Sequence, residues 1–387
     1  MTEPLVSIFM FCKDRRESVG RAIDSILAQS WKNIEIIVQD GASTDGTLEV
    51  LRGYGDAINL VSEPDSGPAE AFNRALQRCR GKYIGSCLSD EELQVDAVER
   101  AVAYLEDHPQ IGAITGDADI IDIQGKIIGE YISQDLILIS YLTGEYCPFF
   151  VSSFFRRQAL ADVGIMDAQW QPTSIEFEMW CRLASDQKIA YVPGKFGRYG
   201  IHPGQLSNVP SDIQLHMDGR LKVIERMFSA GGIFSSGRPD SIPLMHHLLA
   251  RQCVMQFNHM MCHKLVTGAT RYLELFLLIS RRLARFYAEA AGRAYDDDRV
   301  MALVSNDPCT LFRADAQEVI ASLPEASQPQ SPLPPLELRA FPTAMPPRIT
   351  LPRLPRALYE VAAAELDQYG QHAQATECRR LAQQVTG

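Results

Sequence analysis

At 387 residues the chain exceeds the roughly 150 residues that one ordinary core needs, so more than one domain is expected. A 46% hydrophobic and 22% charged composition reads as globular, while a net charge of −11 argues against nucleic acid as a partner, because phosphate recognition needs a basic surface. Nine cysteines stand singly without a C-x-x-C, as in a cytoplasmic protein with reduced thiols, and "MTEPLVSIFMF" lacks the basic stretch of a signal peptide. In chain order, "LVSIFMF" predicts a buried strand, and "ESVGRAIDSILAQ" predicts a helix with Val19, Ile23, Ile26 and Leu27 on one face. "NIEIIVQD" is a second strand, closed by the turn-rich "GASTDG", and "TLEVLRGYG" is a short helix ended by glycine. "AINLVSE", "GPAEAFNRALQRC" and "KYIGSCL" then give strand, helix and strand. This rhythm predicts an α/β fold with a mainly parallel sheet flanked by helices.

Farther on, "IGAITGDADIID" and "KIAYVPGKFGRYGIHPG" read as strands and "SIEFEMWCRLASD" as a helix. Residues 211–323 turn helical. Residues 324–355 hold ten prolines in thirty-two positions, which predicts an extended linker or arm. Residues 356–387 read as a helical hairpin around Gly370, separable together with the arm. The expected division is therefore 1–210, 211–323, 324–355 and 356–387. "LELFLLIS" from Leu273 falls far short of the ~20 apolar residues that span a bilayer. It reads as a buried helix face, with peripheral membrane association as the alternative.

Ligands of parallel sheets bind outside the carboxyl ends of the strands. Asp14, Asp40, Asp65 and Asp90 each follow one of the first four strands, so four acids are expected around one crevice. "GSCLSDEELQV" carries two readings. Ser89 with Glu92 has the spacing of a capping box, whereas Asp90 and Glu91 form a hard-cation ligand pair. His259 and His263 have zinc-like i, i+4 spacing but no neighbouring acid, and read as helix surface or core edge.

"VSIFMFCKDRRESVGRAIDSILAQSWKNIEIIVQDGASTDGT" resembles the start of the family 2 inverting glycosyltransferases. The resemblance continues through "SEPDSGPAEAFNRAL", "GKYIGSCLSDEELQVDAV", "FFRRQALADVGIMD", "EFEMWCRLA" and "YGIHPGQLS", over about residues 5–207. It implies a GT-A fold, Rossmann-like, with a C-terminal helical region. It also implies transfer of a sugar from a nucleoside-diphosphate donor, a UDP-sugar favoured, to a carbohydrate, lipid-linked or protein hydroxyl in bacterial polysaccharide or glycoconjugate synthesis. On that resemblance Asp40 meets the base, and Asp14, Asp65, Asn73 and Asp90 line the donor pocket. Asp90, Glu91 and His202 hold Mn²⁺ or Mg²⁺. Glu176, four residues before Trp180, is the catalytic base, and Glu178 faces elsewhere. Phe11, Leu88 and Gly200 depart from the family's usual residues. They keep open a non-catalytic scaffold working through its helical half. The oligomeric state, and attachment to the inner face of a membrane, stay open.

Overall fold

The computed structural model describes residues 3–136, 138–144, 148–164, 166, 175–202, 210–229, 232, 234, 241–262, 266–290, 292, 353–368 and 372–385. The chain divides into two compact units, the first comprising residues 1–141 and 145–219, the second residues 142–144 and 220–387. Most of the proline-rich arm, together with His263 and the side chain of His259, lies outside the described residues.

The first unit is built around β1 (Val6–Cys12), which pairs in parallel with β2 (Ile34–Asp40) and β4 (Tyr83–Ser86). β3 (Asn59–Ser62) extends the sheet beyond β2, again in parallel. Flanked on both edges, β1 must bury both faces, and its near-continuous apolar run does so. Val6, Ile8 and Met10 join a cluster with Val19, Ala22, Ile23 and Ile26 of α1 (Val19–Leu27) and with Val98, Ala101 and Leu105 of α4 (Ala97–Asp107). Phe9 meets Phe72 of α3 (Pro68–Arg78) edge-on at 5.0 Å. The short helix α2 (Thr47–Arg52) follows β2. The strand order is β3-β2-β1-β4-β8-β6-β9-β5, with β7 paired to β6. Here β5 is Glu92–Leu93, β6 Ala113–Ile121, β7 Ile127–Tyr131, β8 Ser153–Arg156 and β9 Ile189–Gly200. β8 runs antiparallel to both β4 and β6, so direction changes midway across the sheet. α5 (Leu138–Leu142), α6 (Arg157–Val163) and α7 (Ile175–Asp186) complete this part of the chain.

One expectation fails here. No helix begins near Ser89, because Glu92 and Leu93 pair with Arg198 and Gly197 of β9, and α4 starts only at Ala97. Glu92 is an ion-pair partner of Arg198 at 2.9 Å, not half of a capping box. Pairing with β9 and burial of Leu93 outweigh the local capping signal.

The second unit contains α8 (Pro210–Met227, shared with the first), α9 (Ser241–Cys262) and α10 (Val266–Ala290). Its last helices are α11 (Arg356–Gln368) and α12 (His372–Gln384). Among the described residues, no helix is long and apolar enough to cross a membrane. The hairpin is not the separable appendage that its composition suggests. Leu358, Tyr359, Ala362 and Leu366 of α11 are buried, α11 packs on α9, and the fully buried Glu365 accepts a 2.6 Å hydrogen bond from Ser241. Exposing large apolar side chains costs about 1.5–3 kcal/mol each. A chain ended near Leu323 is therefore expected to melt well below the full chain or to aggregate. An unchanged melting curve for that truncation would show that α9 does not depend on the hairpin.

Candidate active site

The parallel strands end along one edge of the sheet, and three successive loops there are tied into one piece. Asp14 accepts the Thr44 N–H at 2.8 Å while its own N–H donates to Ser43 Oγ at 2.8 Å, so the loop after β1 clamps the loop after β2. Asp40 is fully buried. Its carboxylate accepts the Ser43 N–H at 3.0 Å, the Ser43 hydroxyl, and the Ser62 hydroxyl at 2.6 Å. The acid thus organises the turn that it starts and holds the end of β3. With the Cys12 thiol 3.8 Å from Oδ1 as a further donor, its oxygens are engaged by the protein, which gives this acid a framing role. Ala42 lies in the left-handed region at φ 58, as does Asp14 at φ 54, so both loops carry left-handed non-glycine residues. Asp65 accepts the Gly67 N–H at 2.9 Å through Oδ1. A methyl added at Gly41 would sit 2.7 Å from Asp65 Oδ2, so a side chain there would push this carboxylate aside.

A second group forms where β9 passes the loop after β4. A Cβ at Gly200 would fall 2.2 Å from the Asp90 carbonyl oxygen, so only glycine permits the approach. Two residues later, His202 Nε2 lies 3.0 Å from Asp90 Oδ2, both side chains being largely but not fully covered. Glu91 turns inward instead. It is buried and accepts the Leu88 N–H at 2.8 Å. Burial pushes its carboxyl well above the usual range, and the charges of Asp90 and Glu176 add to the shift. This coupling places Glu176, exposed on the first turn of α7, within electrostatic reach of Glu91. Glu178 is buried and held by Arg182 through two contacts of 2.7 and 2.9 Å, so the two glutamates do face different ways. Trp180 is fully buried against Phe150 and Phe155, which seats this helix.

Asn73, expected in the donor pocket, has both ends of its amide engaged with Met166. Its Nδ2 donates to the carbonyl at 2.7 Å and its Oδ1 accepts the N–H at 2.9 Å. Neither residue type nor spacing discloses this partner, 93 residues away, or the reason for glycine at 200.

Residues 7–164 match the model of glycosyl transferase family 2. That stretch is a family 2 glycosyltransferase domain. Among its relatives, the chondroitin synthase of Escherichia coli is 24% identical over 59% of this chain and 33% of its own length. The hyaluronan synthase of Pasteurella multocida is 37% identical over 25% of this chain and 10% of its own. The chain thus spans a third or less of the length of either relative. In structure it is similar to residues 1–349 of S. aureus TarS, solved in complex with UDP-GlcNAc, with a TM-score of 0.55. That match is 14% identical and covers 82% of this chain and 88% of the other. The fold is GT-A.

The donor set at Asp90 and His202 suits a divalent cation. A carboxylate oxygen and an imidazole nitrogen fit Mn²⁺ more readily than Mg²⁺, which favours oxygen ligands. Among the described residues no group of three or more acidic, histidine or cysteine side chains forms a metal cage. A cation here would therefore complete its shell with water and with phosphate oxygens of a ligand. Beside burial, the charges of Asp90 and Glu176 help to raise the Glu91 carboxyl, a repulsion that a cation would relieve.

The contact at Gly200 gives a direct expectation. Gly200→Ala should push β9 off Asp90, separate His202 from it, and weaken Mn²⁺-dependent nucleotide binding about tenfold or more, as disturbed ligand orientation commonly does. Calorimetry with UDP and Mn²⁺ checks this, and equal affinities would mean that the close approach does not set the pair.

Proposed function

We propose that the chain is a metal-dependent, inverting glycosyltransferase that moves a sugar from a nucleoside-diphosphate donor to a hydroxyl acceptor in polysaccharide or glycoconjugate synthesis. The observation that carries the reading is the pooling of Asp90, His202, Glu91 and Glu176 beside the carboxyl ends of the parallel strands in a family 2 domain. Asp90 and His202 are the residues that would hold the cation, whose chemistry is to neutralise the departing diphosphate. Glu91, turned inward, fixes the Leu88–Glu91 turn that presents Asp90. On the donor side, Asp40 and Asp14 shape the pocket, and Asp65 is the acid that closes over it.

Glu176 is the base. Its carboxylate takes the proton of the acceptor hydroxyl as that oxygen forms a bond to the anomeric carbon. The bond from that carbon to the diphosphate oxygen breaks on the opposite face, so configuration inverts. A hydrolase needs both an acid and a base, but a neutralised diphosphate leaves without protonation, and one base suffices. The UDP-GlcNAc of the TarS structure makes UDP-sugars the first donors to try. The test is UDP or GDP release from a panel of nucleotide sugars with Mn²⁺, with and without oligosaccharide acceptors. Release from at least one donor, stimulated by Mn²⁺, is expected. No release from any donor would favour the non-catalytic scaffold.

A further inference from the structure

We propose that Asn73 is a positioning residue, one that braces the helix beside the donor-side acid against the segment leading to the helix of the base. The inference rests on the reading of Glu176 as that base. Asn73 offers Met166 one donor and one acceptor in the arrangement that a neighbouring strand would offer, at 2.7 and 2.9 Å. No ionised carboxylate or aliphatic side chain of similar length can supply both. The pairing takes one N–H and one oxygen lone pair of the amide.

Each end of the brace is itself anchored. On one side, α3 is fastened to the turn of Asp65, since Arg74 donates to the Pro64 carbonyl at 2.9 Å and Asp65 accepts the Gly67 N–H. On the other, Arg182 of α7 donates to the Val163 carbonyl while the buried Glu178 holds its guanidinium from behind. Val163 is thereby gripped from α7 and Met166 from α3. An apolar link runs parallel to the polar one. Phe72, next to Asn73, packs 5.9 Å from Phe150, which packs 5.6 Å from Trp180 of α7. Glu176 stands one helical turn before Trp180, so the brace sets where its carboxylate lies relative to the donor pocket. Placement at this level matters, because a shift of about 1 Å in a reacting group can cost 10²-fold in rate.

The experiment compares the full chain with Asn73→Ala and with the isosteric Asn73→Asp, which keeps the acceptor arm but sets an oxygen against the Met166 carbonyl. Three quantities are read in each: kcat with a UDP-sugar, affinity for UDP with Mn²⁺, and the hydrogen-exchange rate of the Met166 amide. In both variants kcat should fall about tenfold or more, UDP affinity should stay within about twofold, and Met166 should exchange faster in Asn73→Ala. A loss of UDP affinity at constant kcat would overturn the proposal and make Asn73 a ligand contact. Unchanged kcat in a folded Asn73→Asp would overturn it as well. Met166 exchange is independent of activity. If the wild-type chain transfers no sugar, the reading of Glu176 fails, while unaltered exchange in Asn73→Ala would refute the brace separately.

Discussion

Asp90→Ala should reduce Mn²⁺-dependent binding of a nucleoside diphosphate by about a hundredfold or more, while the melting temperature stays within a few degrees of wild type. The magnitude follows from ligand chemistry: disturbing residues that merely orient a metal ligand already costs about 10–100-fold. Removing one of two protein ligands should cost at least the upper end of that range. His202 would lose its 3.0 Å partner, and Glu91, buried and already resistant to ionisation, is poorly placed to substitute. Stability should hold because the Asp90 side chain keeps some exposure and its backbone carbonyl, which β9 approaches, is untouched. Calorimetric titration of UDP with Mn²⁺ checks the prediction. Wild-type affinity in the mutant would remove Asp90 from the metal site.

Glu176→Gln should lower transfer by about 10²–10⁴ without altering donor affinity, the usual effect of losing a general base that touches only the acceptor. The substitution keeps shape and removes charge. Glu176 is exposed on the first turn of α7, so the fold does not depend on its carboxylate. The control is Glu178→Gln. That carboxylate is buried in a two-armed pair with Arg182, so its loss should lower the melting temperature and affect transfer only through the placement of α7. If instead Glu178→Gln abolishes transfer in a folded protein while Glu176→Gln does not, the assignment is reversed.

The parts legible in the sequence are those fixed by local period. β1, β2 and β4 could be read because these strands are largely buried, which writes mostly apolar runs into the chain. The opposed facing of Glu176 and Glu178 could be read for the same kind of reason, since two residues on a helix differ by about 200°. What could not be read depends on partners distant in sequence. Asp40 is saturated by Ser43 nearby but also by Ser62, and Asn73 is taken by Met166, so neither residue type nor spacing discloses its role. The motif "SDEE" invites a helix cap, and only the pairing of Glu92 and Leu93 with β9 cancels it. Gly200 looks like a mere departure when it is compared with the family pattern. In the fold, it is the residue that lets β9 touch the Asp90 backbone. The tail reads as an appendage because its proline-rich approach is conspicuous, while the burial of Leu358 and Leu366 is not.

The central claim is that this chain binds a nucleoside diphosphate through a divalent cation held at Asp90 and His202. Titration of the full chain with UDP, once with Mn²⁺ and once with EDTA, tests it most directly. The account predicts saturable binding of one UDP per chain with Mn²⁺ and at least a tenfold weaker interaction with EDTA, in line with the cost of disturbing a metal site. Equal affinity under the two conditions, or no binding of UDP or GDP in either, would contradict it.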